Sequence, residues 1–314
     1  MNIVLSKNNH LTLGYNNIPN SRRATPYDKF YLNFKKTEYI PKSFRDECVK
    51  TACEISDFAE SKNLIPLILY QRNASSEIIL ASFLESKKKF RLATINFSSN
   101  SDLDTDQRIE ELKKKYNLDT EVFIIDIEKY LDDEKILSIS KRDNVYDVKN
   151  YLFAFFTDKI KKEFFPIANS LDLEMYRNNT DLNFPSEWFL QIKESSCSYY
   201  FHYLNEHIDA CPSFNLWSPE IFLSFLKDQQ TDSLIKNKSL GKVSLKTTAL
   251  KVYRNAFPNY DFGYIGSQDK IEKKIQSKIN LFNKNLRISN FYDKHSSAEF
   301  FCDDLILTLS NQHV

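Results

Sequence analysis

Hydrophobic positions in the first half of the chain follow two periods in turn. Phe44, Cys48, Val49, Ala52, Ile55 and Phe58 recur at helical spacing, so a helix is predicted from Ser43, which caps it, to about Lys62. The pattern then becomes a continuous apolar run, Ile65-Pro66-Leu67-Ile68-Leu69-Tyr70, as expected of a strand covered on both faces. A polar turn leads to Ser75 and Ser76 and to a helix carrying Ile78, Ile79, Leu80, Phe83 and Leu84. Strands at Arg91–Phe97 and Glu121–Ile127 flank a further helix that starts at Asp104 and presents Ile109, Leu112 and Tyr116. This β-α-β-α-β alternation predicts a parallel sheet with right-handed crossovers.

Beyond Leu131 the pattern turns mainly helical. Helices are predicted over Val145–Glu163, Glu187–His207, Ser218–Asp228, Leu245–Ala256, Asp269–Phe282 and Ser296–Ser310, with one more strand at Phe164–Asn169. The start at Ser218-Pro219-Glu220 combines a cap, a proline at the first helical position and an acid in the first turn. Residues 1–42 read as an irregular arm with turns at Asn16-Asn17, Pro19, Pro26 and Pro41. The predicted organisation is an arm (1–42), an α/β domain (43–178) and a helical region (179–314). The fold class is α/β, a short parallel sheet with helices on both faces followed by a mainly helical region.

Composition narrows the chemistry. The 43 basic and 42 acidic residues leave a net charge of +1, so no whole-protein field draws in nucleic acid or an anionic membrane. The lysine runs 87–89 and 113–115 fall at predicted helix C-termini, where cations complement the dipole. The five cysteines include no CxxC pair, which together with the absence of a signal-peptide pattern fits reduced thiols in the cytoplasm. No apolar run is long enough to span a bilayer. The four glycines are Gly14, Gly241, Gly263 and Gly266, so none lies in the predicted sheet region. Loops that wrap phosphate with backbone amides need glycine for positive φ and close approach, so no P-loop and no GxGxxG exists there.

The layout of long helix, apolar strand, serine-bearing turn and helix over about residues 43–175 resembles the PP-loop family of ATP pyrophosphatases. That family includes the synthetase domain of asparagine synthetases and the enzymes that make 7-cyano-7-deazaguanine. Its SGGxDS signature follows the first strand. At that place this chain has Gln71-Arg72-Asn73-Ala74-Ser75-Ser76, in which only Ser76 matches. The stretch Pro212–Glu220 resembles the aromatic–Pro–Glu helix start of some relatives, and Lys246 and Lys251 stand in a helix of the kind such relatives place near the nucleotide. The resemblance therefore implies a nucleotide-binding set of Gln71, Arg72, Asn73, Ser75, Ser76, Lys246 and Lys251, with ATP and Mg²⁺ as ligands.

With side chains in place of both glycines, the main chain loses its approach to a pyrophosphate. Single oxyanion donors are worth about 2.7–4 kcal/mol in a transition state, so losing several removes most of the catalytic advantage. The expectation is a non-catalytic scaffold or binding protein, such as a viral or accessory factor, with no cofactor and with a protein partner or self-association. The alternative is a divergent ATP-dependent amide-forming or nucleotidyl-transferring enzyme, in which Arg72, Ser75, Ser76 and Lys246 or Lys251 replace the lost loop, the Arg72 guanidinium contacting phosphate.

Other constellations read as structural. Cys197, His202, His207 and Cys211 do not converge on one helix face, so no metal is expected. Asp102, Asp104, Asp106, Glu110 and Glu111 lack the glycine of a calcium loop and read as helix-start charges. No GxSxG occurs. Asp126 and Asp132-Asp133-Glu134 follow the third strand, near the edge where α/β ligands bind. The aromatic strip at Tyr199, Tyr200, Phe201 and Tyr203 lacks interleaved cations and reads as a packed helix face.

Overall fold

The computed structural model describes residues 11–19, 27–34, 41–71, 73–97, 103–125, 127–132, 163–169, 173–177, 188–197, 209–236, 243–263, 273–289 and 297–301, with a few single residues besides. Helix α1 (Phe44–Ser61) starts where its cap chemistry dictates: the Ser43 hydroxyl accepts from the Asp46 amide, and Asp46 and Glu47 place negative charge in the first turn. Its buried stripe is Phe44, Cys48, Ala52, Ile55 and Ala59. Strand β4 (Ile65–Leu69) is buried from its second residue onward. Helix α2 (Ala74–Ser86) is apolar nearly all round, with Ile78, Ile79, Leu80, Ala81 and Phe83 at 2% exposure or less, as a helix inside the body must be.

Strand β5 (Arg91–Phe97), helix α3 (Leu103–Tyr116), strand β6 (Thr120–Ile125), the short helix α4 (Ile127–Leu131) and strand β7 (Phe164–Ile167) complete the first half. The strands form a parallel sheet in the order β6-β5-β4-β7. The chain thus moves outward from β4 to β6 and returns to the other side of β4. Residues 211–214 extend the sheet past β7: Cys211 donates to the Pro166 carbonyl (2.8 Å), Ala168 to Cys211 (2.9 Å) and Phe214 to Ala168 (2.8 Å). The α/β class expected from the alternation is the class observed.

Three expectations are corrected. Within the arm, β1 (Leu11–Tyr15), β2 (Ile18–Pro19) and β3 (Phe30–Phe34) form an antiparallel sheet in the order β2-β1-β3. Its Tyr15 hydroxyl donates to the buried Glu194 carboxylate. Where helices were predicted from Glu187 and from Ser296, the chain instead forms β9 (Trp188–Lys193) and β11 (Ser297–Phe301). These join β8 (Leu173–Arg177) and β10 (Val243–Ser244) in an antiparallel sheet ordered β10-β8-β9-β11. The predicted helix at Val145–Glu163 falls almost entirely outside the described residues, as do the strip from Tyr199 to Tyr203, His202 and His207.

The later helices are α5 (Pro219–Lys227), α6 (Gln229–Lys236), α7 (Leu245–Ala256) and α8 (Lys273–Ser289). Helix α5 begins as its sequence dictates, with the Ser218 hydroxyl accepting from Ile221 and Pro219 opening the first turn. Aromatic contacts tie α5 and α7 to α1. Tyr253 of α7 stacks on Phe44 (5.8 Å, 16°), and Phe225 of α5 meets Phe44 edge-on (5.5 Å). Phe58, Phe165 and Trp217 form a second cluster at 5.7–6.3 Å. No helix among the described residues is long and apolar enough to cross a membrane.

Candidate functional site

In open α/β sheets ligands bind beyond the carboxyl ends of the strands where strand order reverses. Here that point lies between β4 and β7, whose register pairs Ile68 with Ile167. The residues leaving β4 include Tyr70, Gln71 and Asn73; those leaving β7 are Ala168 and Asn169.

The turn after β4 is occupied by its own side chains. Tyr70 still belongs to the sheet, donating its amide to Ala93 (2.8 Å). Asn73, in extended conformation (φ −118°, ψ 166°), caps α2: its Oδ1 accepts from the Ser76 amide (2.8 Å). Ser76 returns the contact, its Oγ accepting from the Asn73 amide (3.2 Å) and donating to the Asn73 carbonyl (3.0 Å). The Asn73 side-chain amide donates to Gln71 Oε1 (3.0 Å). This capping box engages the Ser76 amide and hydroxyl, two of the donors that a phosphate cradle at this place would present to its ligand. Ser76, the one residue matching the PP-loop signature, is 3% exposed and spends its hydroxyl inside the turn. Ser75 is half-buried, and Arg72 lies outside the described residues. Lys251 is exposed on α7; the side chain of Lys246, in the first turn of that helix, lies outside the described residues.

A feature the sequence reading passed over stands one residue further along. Glu77, 1% exposed, sits in the first turn of α2, where its carboxylate answers the positive end of the helix dipole. It accepts from Tyr70 Oη (2.5 Å), from Tyr260 Oη, and from Arg108 Nε (3.2 Å) and Nη2 (3.3 Å). Arg108 of α3 is 7% exposed and also donates to the Asp261 carbonyl (2.5 Å). The carboxylates of Glu111 and Asp261 lie 3.6 and 3.7 Å from its Nη1. Burial opposes the Arg108 charge, but the Glu77 carboxylate outweighs that and holds the guanidinium above its ordinary range. Burial, then the Glu77 charge, pushes the Tyr70 and Tyr260 phenols well above the usual tyrosine value. One sequence signal marks this pair: Glu77 is the lone charge in Ala74–Leu84, a segment otherwise apolar or small.

Beside it, past β7, lies a neutral polar cluster. Asn169 Oδ1 accepts from Ser213 Oγ (3.0 Å) and the Asn215 amide (3.4 Å), and the Asn215 side-chain amide donates to Tyr253 Oη (3.0 Å). Burial raises the Tyr253 phenol as well. The groups described around the reversal point are thus carboxamides and hydroxyls, together with a guanidinium already neutralised by Glu77. A surface hollow along α3, bounded by Gln107, Glu110, Glu111, Lys113 and Lys114, has solvated charges of both signs for walls and does not lie at the strand ends. Among the described residues no cluster of His, Cys, Asp or Glu is arranged to hold a metal ion.

No protein-family model and no curated protein matches the sequence. Among solved structures, that of NMN synthetase from Francisella tularensis aligns over 79% of this chain and 96% of that chain, at 13% identity and a TM-score of 0.32. A likeness so loose carries no weight for the chemistry, and the α/β fold stands on the strand order itself.

Proposed function

We propose that this chain is a non-catalytic scaffold or binding protein of the cytoplasm, with a PP-loop-like layout whose phosphate position is closed by its own side chains. A viral or accessory role, exercised through a protein partner or self-association, suits that reading. The observation that supports it is the capping box between Asn73 and Ser76, which engages the Ser76 amide and hydroxyl within the turn. The Glu77 carboxylate supports it further. It stands where the helix N-terminus would otherwise favour an anion, and neutralises Arg108.

Titration calorimetry with ATP and Mg²⁺, run beside an assay for released pyrophosphate, tests the proposal. Neither binding at millimolar ATP nor turnover is expected. Saturable heat and pyrophosphate release, both lost in Arg72→Ala, would instead establish an ATP-dependent amide-forming or nucleotidyl-transferring enzyme.

A further inference from the structure

Helix α8 carries charge of one sign. Its 17 residues include Lys273, Lys274, Lys278, Lys284 and Arg287 and no acid, although the whole chain is balanced at a net charge of +1. Lys274 and Lys278 stand four apart, and Lys284 and Arg287 three apart, spacings at which like charges on a helix repel and an acid would relieve them. A helix that forgoes its own salt bridges in this way breaks a local rule, as surfaces kept for a partner do.

The outer face of α8 is open to solvent. Ile279 and Asn283 are buried at 1% and 5% exposure, so their side faces the body. Ser277, Asn280, Leu281, Lys284 and Asn285 are all exposed, Leu281 to 62%. Leu281 lies about 160° round the helix from Ile279, and Lys278 and Lys284 stand about 60° to either side of it. Ile288 follows Leu281 by one heptad in the same helix. An apolar line bordered by charges is half of the pattern by which helices pair, the charges choosing the partner.

We propose that the outer face of α8 docks an amphipathic helix of a partner protein whose apolar seam is bordered by Asp or Glu, which rests on the reading of this chain as a binding protein. Leu281 enters the partner's seam, Lys284 pairs with an acid on its flank, and the remaining cations of α8 supply the field that steers it. A second copy of this chain does not fit, because two such faces would set lysines against lysines. Nucleic acid offers the charge but leaves Leu281 without a counterpart. An anionic bilayer calls for a broad apolar stripe, whereas Leu281 stands between the polar Asn280 and Asn285 and is the one exposed large apolar side chain described on α8.

Fluorescence anisotropy on the full chain tests the docking with a labelled peptide of a few heptads, leucine along its seam and glutamate on both flanks. Saturable binding is expected, and the same peptide with lysine flanks should not bind. Leu281→Gln and Lys284→Glu should each weaken binding about tenfold. Both residues are exposed, so these changes leave the fold in place. Ile18→Gln, at a residue of β2 that is 59% exposed, should leave binding unchanged. No saturable binding at millimolar peptide, equal binding of the two peptides, or binding unmoved by Leu281→Gln and Lys284→Glu would overturn the proposal. Tighter binding to vesicles of phosphatidylcholine and phosphatidylserine, lost in the same variants, would overturn it in favour of a lipid surface. No nucleotide is present, so failure here removes α8 as the partner site and leaves the closed turn at Asn73 and Ser76 standing.

Discussion

Replacing Glu77 by glutamine keeps the shape of the side chain and removes its charge from a site with 2% side-chain exposure. The carboxylate accepts from both tyrosine hydroxyls and from two nitrogens of Arg108, all donors. A carboxamide offers one oxygen to that set and turns its own N–H groups toward the rest. Arg108, itself 7% exposed, keeps its bond to the Asp261 carbonyl, but as counter-charges within 4 Å it retains the carboxylates of Glu111 and Asp261, which are 68% and 63% exposed and screened by water. Breaking a buried pair from one side costs about 3–5 kcal/mol. With two screened carboxylates left, the lower end, about 3 kcal/mol, is expected for Glu77→Gln. Arg108→Met strands the carboxylate and should cost about as much. The double variant Glu77→Gln/Arg108→Met leaves no orphan charge, so it should cost about 1–2 kcal/mol, less than either single change. Urea denaturation followed by far-UV circular dichroism gives midpoint and slope for all four proteins. A double variant as costly as the two singles together would refute the idea that the pair is one coupled unit.

Other outcomes follow from the same geometry. Asn73→Ala should destabilise by about 1 kcal/mol through loss of the cap, whereas Asn73→Gly should cost only a few tenths; equal losses in thermal melts would remove the capping box from the explanation. Trp217→Ala, at a residue of 0% exposure wedged against Phe58 and Phe165, should cost about 3–5 kcal/mol; a loss below 1 kcal/mol in urea melts would contradict the packing described. The raised Tyr70 and Tyr260 phenols stay protonated in the folded chain after the unfolded chain begins to lose those protons near pH 10. Their contribution to stability is full below that pH and declines above it, by about 1.4 kcal/mol per pH unit for each group, until the folded values are passed. The double variant Tyr70→Phe/Tyr260→Phe should flatten the alkaline decline measured by urea melts; an unchanged slope would sink that assignment.

What the sequence discloses depends on whether a segment's pattern has a single solution. Strand β4 and helices α1, α5 and α7 carry cap residues or unbroken periodicity, and each lies within two residues of its predicted bounds, whereas α2 starts at Ala74 with Asn73 as its cap, ahead of the Ser75 and Ser76 caps its sequence suggests. Segments such as Trp188–Lys193 and Ser297–Phe301 are short and mixed, and suit a helix face as readily as a strand. Their pairing, Ser297 with Lys193 through Phe301 with Phe189, links positions about a hundred residues apart and decides the matter in space. The same holds for Leu11–Tyr15 against Phe30–Phe34, where turn residues obscured a real alternation. At the site, the missing glycines lead to the expectation that the Gln71, Arg72 and Asn73 side chains take the phosphate volume; Arg72 lies outside the described residues, and Asn73 forms a capping box with Ser76. The Glu77 network was not legible, because its members come from positions 70, 77, 108 and 260 and only folding brings them together.

The most direct measurement watches the Ser76 and Glu77 backbone amides by NMR while ATP and Mg²⁺ are added. With the Ser76 N–H held by Asn73 Oδ1 and the helix end answered by Glu77, both resonances are expected to stay in place up to millimolar nucleotide. Saturable shifts of both, with the Asn73 side-chain amide released in the same titration, would show a phosphate displacing the cap and contradict the closed turn.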